Sequence, residues 1–233
     1  MNWKWSHDDL ESIELVPEFY PTMTEFKDFS SYVAKCEAEA GTAGAFKVIP
    51  PKRWKARKEG YDNLDLNVQR PIEQNVWGSN GVYELMYLLR ESRSLKSYTK
   101  SVSPNKQNNF EIEKLFWKTL KLNAPLYGAD IEGSLMDHNA PWNLAEIKTI
   151  LSEGLDGARL SGVNVPYIYV GDWKTMFGWH KEDLDLYSIN YLHLGSPKFW
   201  YAIDTDSSDD FEAFVRKCFP EKFEKCSEYL RHK

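Results

Sequence analysis

The chain has 233 residues, 42% hydrophobic and 15% aromatic, a length for one or two domains and a composition able to bury a sizeable core. That excludes a chain disordered throughout. With 29 basic and 35 acidic side chains, its net charge of −6 excludes coating nucleic acid by bulk positive charge, and direct DNA binding is not indicated.

Cys36, Cys218 and Cys226 are too few and too scattered for a disulfide-stapled scaffold, which points to a reducing compartment. The opening MNWKWSHDDLESIEL lacks the apolar core of a signal peptide, and no stretch approaches the roughly 20 apolar residues that span a bilayer. The expectation is a soluble intracellular protein without a membrane partner.

In chain order, Thr22-Met23-Thr24-Glu25 reads as a capping box. Behind it Phe26, Phe29, Val33 and Cys36 recur at helical spacing, with Gly41 as the stop. Residues 47–58, KVIPPKRWKARK, carry six cations and no acid. They read as a solvated linker, with contact to nucleic acid or an acidic partner as the alternative. Residues 60–107 are mixed, with turn signals at Gly60, Gly78-Ser79-Asn80-Gly81 and Ser103-Pro104-Asn105. Ile112, Leu115, Phe116 and Thr119 predict a helix over about 109–120. Residues 122–135 and 160–203 turn rich in glycine, proline and aromatics. The segments VPYIYVG, WKTMFGWH, YSINYLHLG and KFWYAI read as strands. Phe211, Phe214, Val215 and Cys218 restore the helical period, Pro220 ends that helix, and a shorter one covers 221–230. Helical flanks around a β core is the predicted organisation.

Of five histidines, His180 stands out because Glu182 follows at i+2. In a strand those side chains share a face. An imidazole and a carboxylate side by side make two-thirds of the two-histidine, one-carboxylate set that binds Fe(II) and leaves positions open. The bland alternative is an exposed strand-end histidine beside a solvated glutamate. Lys198, between Pro197 and Phe199-Trp200-Tyr201, needs solvent or an anionic partner. A small carboxylate would serve, with Tyr127 and Asn190 adding hydrogen bonds.

The stretches FYPTMTEFKDFSSYVAKCEAEA…FKVIPPKRWKAR (19–57), FWKTLKLNAPLYGADIEGSL (116–135), GVNVPYIYVGDWKTMFGWHKEDLDLYSINYLHLGSPKFWY (162–201) and CSEYLRHK (226–233) resemble the JmjN/JmjC histone lysine demethylases. The resemblance is to the subfamily acting on trimethylated lysines 9 and 36 of histone H3. It implies an α+β fold: a JmjN helix/strand unit plus a double-stranded β-helix, a cupin-like jelly roll incomplete at its C-terminal end. The implied spans are JmjN over 14–57, a mixed helical linker over 58–121, and the first part of JmjC over 122–233.

The same resemblance implies a nuclear dioxygenase dependent on Fe(II), 2-oxoglutarate and O2. Decarboxylation to succinate accompanies hydroxylation of an N-methyl group, which leaves as formaldehyde. Carried over by motif, His180 and Glu182 are iron ligands. Tyr127, Asn190 and Lys198 hold 2-oxoglutarate, with Phe177 and Trp200 walling its pocket. Gly162 and Tyr169 line the methylammonium pocket, and Asp130 contacts the peptide. Cys226 and His232 match half of a structural zinc site, whose tetrahedral type takes four ligands. The implied partners are the methylated histone H3 tail and chromatin.

Departures accompany the match. The family's second iron histidine lies further along than the 53 residues that follow His180, while His193 falls at a position that is not a ligand. The expectation is therefore a chain truncated within JmjC and without turnover by itself, because a two-ligand site binds metal weakly. Its alternative role is a non-catalytic chromatin-binding fragment or isoform. Asp172 replaces an apolar residue and Ser161 an acid, which bears on peptide preference.

Overall fold

The computed structural model describes residues 13–99 and 109–231. In chain order the elements are β1 (Glu18–Phe19), α1 (Phe29–Ala40), β2 (Lys47–Val48), β3 (Asn67–Val68), β4 (Ile72–Ser79), β5 (Val82–Leu89), β6 (Arg93–Ser94), α2 (Leu95–Thr99) and α3 (Asn109–Thr119). Then follow β7 (Leu126–Glu132), α4 (Ile150–Gly154), β8 (Tyr167–Gly171), α5 (Ser208–Cys218) and α6 (Pro220–Lys225). Helices and mainly antiparallel strands make this the α+β fold expected. Two compact units divide the chain. One holds 59–135 and 159–179; the other holds 15–58, 136–158 and 180–231.

The first unit is built on a four-stranded antiparallel sheet of order β5-β4-β7-β8. Its hairpin turns at Asn80-Gly81, with φ of 56° and 84°, the double positive φ that a two-residue turn matched to strand twist demands. The turn signal is plain in the sequence, yet the strands flanking it are not. The position of β4 that goes fully inside is Gln74, so apolar alternation is broken where it should be clearest. The predicted helix over 109–120 appears as α3. The turn at 103–105 lies outside the described residues.

In the second unit Thr22 and Glu25 form the predicted reciprocal cap. The Glu25 N–H donates to the Thr22 hydroxyl at 3.2 Å, and the Thr22 N–H donates to the Glu25 carboxylate at 2.9 Å. The turn it caps is a short 3-10 one, Glu25–Lys27. The α-helix itself starts afterwards, capped by Asp28, which accepts from the Ser31 N–H at 3.1 Å. Phe26 and Cys36 are buried as expected, Phe29 and Val33 half-buried, and Tyr32 is buried in addition.

Contacts from the Thr22 N–H first, then the Thr22 hydroxyl and Lys35, hold the Glu25 pKa at about 2 against an ordinary 4.5. The unfolded chain takes up this proton near 4.5 and the folded chain near 2. The stabilisation is therefore complete above the upper value and lost as pH falls to the lower one. Glu25→Gln should melt below the parent at neutral pH, with the gap closing across that window. Thermal melts at stepped pH check this, and a gap that stays constant contradicts it.

Two expectations are corrected. Of the four segments read as strands in 165–203, only the first becomes one, β8; residues 173–180, 187–195 and 198–203 carry no strand. Alternating apolar residues suit a pleated surface, but a strand also needs a neighbour to complete its ladder, and among the described residues none pairs there. The segment 47–58 is no solvated linker either. β2 pairs in parallel with β1, Trp54 is half-buried and Ala56 is buried. Pro220 ends α5 by opening α6 at its first turn, where its missing N–H costs nothing.

Candidate functional site

In the first unit, β7 and β8 pair with Tyr127 opposite Gly171. Tyr169, two residues before Gly171, takes the diagonal place on the same face. The Tyr127 and Tyr169 rings lie 6.0 Å apart at 28°, and Phe177 stands edge-on to both at 5.4 and 5.5 Å. Tyr127 is only 4% exposed. Burial pushes its phenol pKa far above the usual tyrosine value, reinforced by Tyr169 and Asp130. It is therefore a neutral hydroxyl, able to donate a hydrogen bond to an anion.

Asp130 sits where the β7–β8 register slips between Gly128 and Ile131, at φ 56° and exposed. A bulge re-aims a side chain in this way. Gly162 has φ +79°, and a Cβ there would stand 2.6 Å from the Tyr167 ring. Only glycine fits between that backbone and that ring.

Two residues that support this cluster escaped the sequence reading. Gln74, 2% exposed, donates from its amide to the Met176 carbonyl at 2.7 Å and accepts from the Met176 N–H at 2.9 Å. That clamp fixes the backbone just before Phe177. Lys174 is buried too, and its ammonium donates to the carbonyls of Thr119, at 2.9 Å, and Leu122. It thus caps the C-terminal end of α3 with positive charge, although burial pushes its pKa down. Neither residue announces itself, because the bonded partners lie 102 and 55 residues away.

Gln74→Leu should cost about 2–4 kcal/mol, since it leaves the Met176 N–H and carbonyl both without the partner each now has. Chemical denaturation measures it. A loss under about 0.5 kcal/mol, the range of a neutral surface change, would show that the clamp contributes nothing.

In the second unit, His180 Nε2 lies 3.5 Å from Glu182 Oε1. The strand expected here is absent, but Glu182 is extended at φ −68° and ψ 159°. The pair therefore forms here without a ladder. The intervening Lys181 pairs elsewhere, with Glu212 on α5 at 3.5 Å. Both members of the pair keep about a third of their side chains open, 31% and 39%. An imidazole nitrogen and a carboxyl oxygen this close, and reachable, are the donor types that a shared divalent cation takes. Among the described residues no cluster of three His, Cys, Asp or Glu forms.

Asn190 is exposed on the irregular segment that follows. Lys198 Nζ stands 5.3 Å over the ring of Trp200, which is 60% exposed. The protein around Lys198 lowers its pKa by desolvation, while the side chain still touches solvent. His193 packs edge-on to Tyr191 at 4.8 Å, and burial, then the Arg57 charge, pushes its pKa down. Cys226 is half-buried, and its N–H closes α6 on the Lys222 carbonyl at 3.0 Å. Its expected partner His232 lies outside the described residues.

Residues 17–50 match the family model described as the jmjN domain, and residues 167–233 the one described as JmjC domain, hydroxylase. Over 225 residues, 92% of this chain, it is 44% identical to a human protein named probable lysine-specific demethylase 4F, covering 35% of it. It is also 44% identical over 225 residues to mouse lysine-specific demethylase 4B, with 92% of this chain and 21% of that protein covered. Identity to rat lysine-specific demethylase 4D is 41% over 226 residues, 92% of this chain and 44% of that protein. The chain spans less than half the length of each of these relatives.

Proposed function

From the premise that the chain belongs to the JmjN/JmjC family, we propose that it carries part of the active site of a histone lysine demethylase. The substrate is the methylated tail of histone H3, and the setting is chromatin in the nucleus. The observation that carries the reading is the His180–Glu182 pair at 3.5 Å. These two hold Fe(II), which when bound supplies the redox chemistry coupling O2 and 2-oxoglutarate to hydroxylation of an N-methyl group. The products are succinate, CO2, formaldehyde and a lysine with one methyl fewer.

The chain's own residues bind and orient. Lys198 offers an ammonium, and the neutral Tyr127 phenol a hydrogen bond, to the distal carboxylate of 2-oxoglutarate, with Asn190 as a further donor. Phe177 and Trp200 exclude water from it. Gly162 and Tyr169 line the methylammonium pocket, and Asp130 holds the basic peptide. Cys226 and His232 contribute to a structural zinc site. The net charge of −6 favours encounter with a cationic tail.

With two protein ligands the 233-residue chain by itself should show no turnover. A chimera in which it is continued by the remaining JmjC portion of the rat relative should remove methyl groups from a trimethylated H3 peptide. The assay supplies Fe(II), 2-oxoglutarate and ascorbate and is read by mass spectrometry. The same chimera with His180→Ala should not. A folded chimera without turnover, or one still active after His180→Ala, sinks the proposal. A non-catalytic chromatin-binding role is the second reading. A folded chimera that holds the peptide without consuming 2-oxoglutarate would establish it.

A further inference from the structure

We infer that residues 51–58 form a preset basic ridge that docks on the phosphate backbone of duplex DNA. The inference rests on the chromatin reading for its choice of polyanion. The segment has no acidic residue, and its backbone is tied down from within its own unit. The Trp54 N–H donates to the Pro51 carbonyl at 2.8 Å, closing a turn with Lys52 and Arg53 at its two central positions.

Trp54 is turned inward. Its indole N–H donates to the Pro141 carbonyl at 3.1 Å, and its ring stands edge-on to Phe26 at 5.2 Å and Tyr191 at 5.4 Å. Ala56 is buried, and its carbonyl accepts from the Asp137 N–H at 2.8 Å. The Lys58 N–H donates to the Asp137 carboxylate at 2.9 Å.

With those groups inside, Lys52, Arg53, Lys55 and Lys58 are left exposed. Among the described residues none of the four side chains makes an ion pair, in contrast to Lys47, held by Glu18 at 2.7 Å. Four like charges on a fixed backbone focus a positive potential on one short stretch of a protein that is acidic overall.

Anchoring also selects the partner. Single-stranded nucleic acid is held by stacking its bases on aromatic side chains, and the one aromatic residue of this segment is packed away. What remains outward is charge without a pocket, which matches the regular phosphates of a duplex and reads no base sequence.

The test is anisotropy of a labelled short duplex titrated with the whole chain, without iron, 2-oxoglutarate or peptide, at about 50 and 200 mM salt. Two duplexes of unrelated sequence should bind alike, and binding should weaken with salt. The triple variant Lys52→Gln/Arg53→Gln/Lys55→Gln should bind at least about 10-fold more weakly at the lower salt. The slope of log K against log salt should fall by about 3, close to one unit for each phosphate no longer neutralised. Arg53→Lys keeps the charge and should keep the binding, which separates charge from any folding defect. An unchanged slope in the triple variant, absence of duplex binding at the lower salt, or capture of a poly-glutamate peptide in place of DNA would each overturn the inference. Failure here leaves the methyl-removal assay untouched, and failure of that assay with binding intact sinks only the demethylase reading.

Discussion

Trp142→Ala should lower the stability of the unit holding residues 15–58, 136–158 and 180–231 by about 3–5 kcal/mol, a fall in Tm on the order of 10 °C. Trp142 is where three side chains of the N-terminal segment converge. Its ring stacks on Phe26 at 4.7 Å and 5° and meets Phe29 edge-on at 4.8 Å and Tyr32 at 6.3 Å. Its indole N–H donates to the Phe26 carbonyl at 2.8 Å. The backbone adopts φ 65° to place it, a left-handed conformation costing about 1–2 kcal/mol, which the packing outweighs. Truncation removes the packing and leaves the Phe26 carbonyl without its donor, while the strain stays. Trp142→Phe, which keeps a ring and loses the donor, should recover most of the stability. Equal losses in the two variants would place the effect in the hydrogen bond instead.

The other large effect falls on metal affinity. His180→Ala and Glu182→Gln should each weaken binding of a divalent cation at least about 100-fold, because loss of a mere supporting partner already costs 10–100-fold. The pair's 3.5 Å separation lets one ion take both atoms, so removing either leaves a single ligand. 2-Oxoglutarate should tighten metal binding to the parent, since its keto acid offers further oxygens to the same ion. Lys198→Ala should diminish that tightening while leaving binding of metal alone intact, because in the proposed site Lys198 addresses the far carboxylate and not the ion. This split between cofactor and metal is a readout that a general loss of packing would not give.

Features that depend on near neighbours in sequence are legible before any fold is known. The Thr22–Glu25 cap, the Gly41 stop and the His180–Glu182 pair each need five residues or fewer. The pair survives even though the strand invoked for it does not. The strands predicted over 173–203 fail for the converse reason. Alternation belongs to a segment, whereas pairing belongs to its neighbour, and no sequence pattern in YSINYLHLG names one. Gln74 and Lys174 show the same limit in the site. Each is a polar residue at a buried position, satisfied by backbone groups that only the folded chain brings near. The basic run of 47–58 reads as solvated by composition, and half of that is right. Lys52, Arg53, Lys55 and Lys58 are exposed, and Trp54 and Ala56 are the anchor that composition hides.

The assignment of His180 and Glu182 as two ligands of one iron is best probed by electron paramagnetic resonance of Mn(II), a redox-stable stand-in for Fe(II). The ion is titrated into the 233-residue chain with and without 2-oxoglutarate. The chain should remove ion from the free-Mn(II) signal, weakly alone and more strongly with 2-oxoglutarate, and His180→Ala and Glu182→Gln should each restore the free signal. Binding that is the same in both variants as in the parent would contradict the assignment.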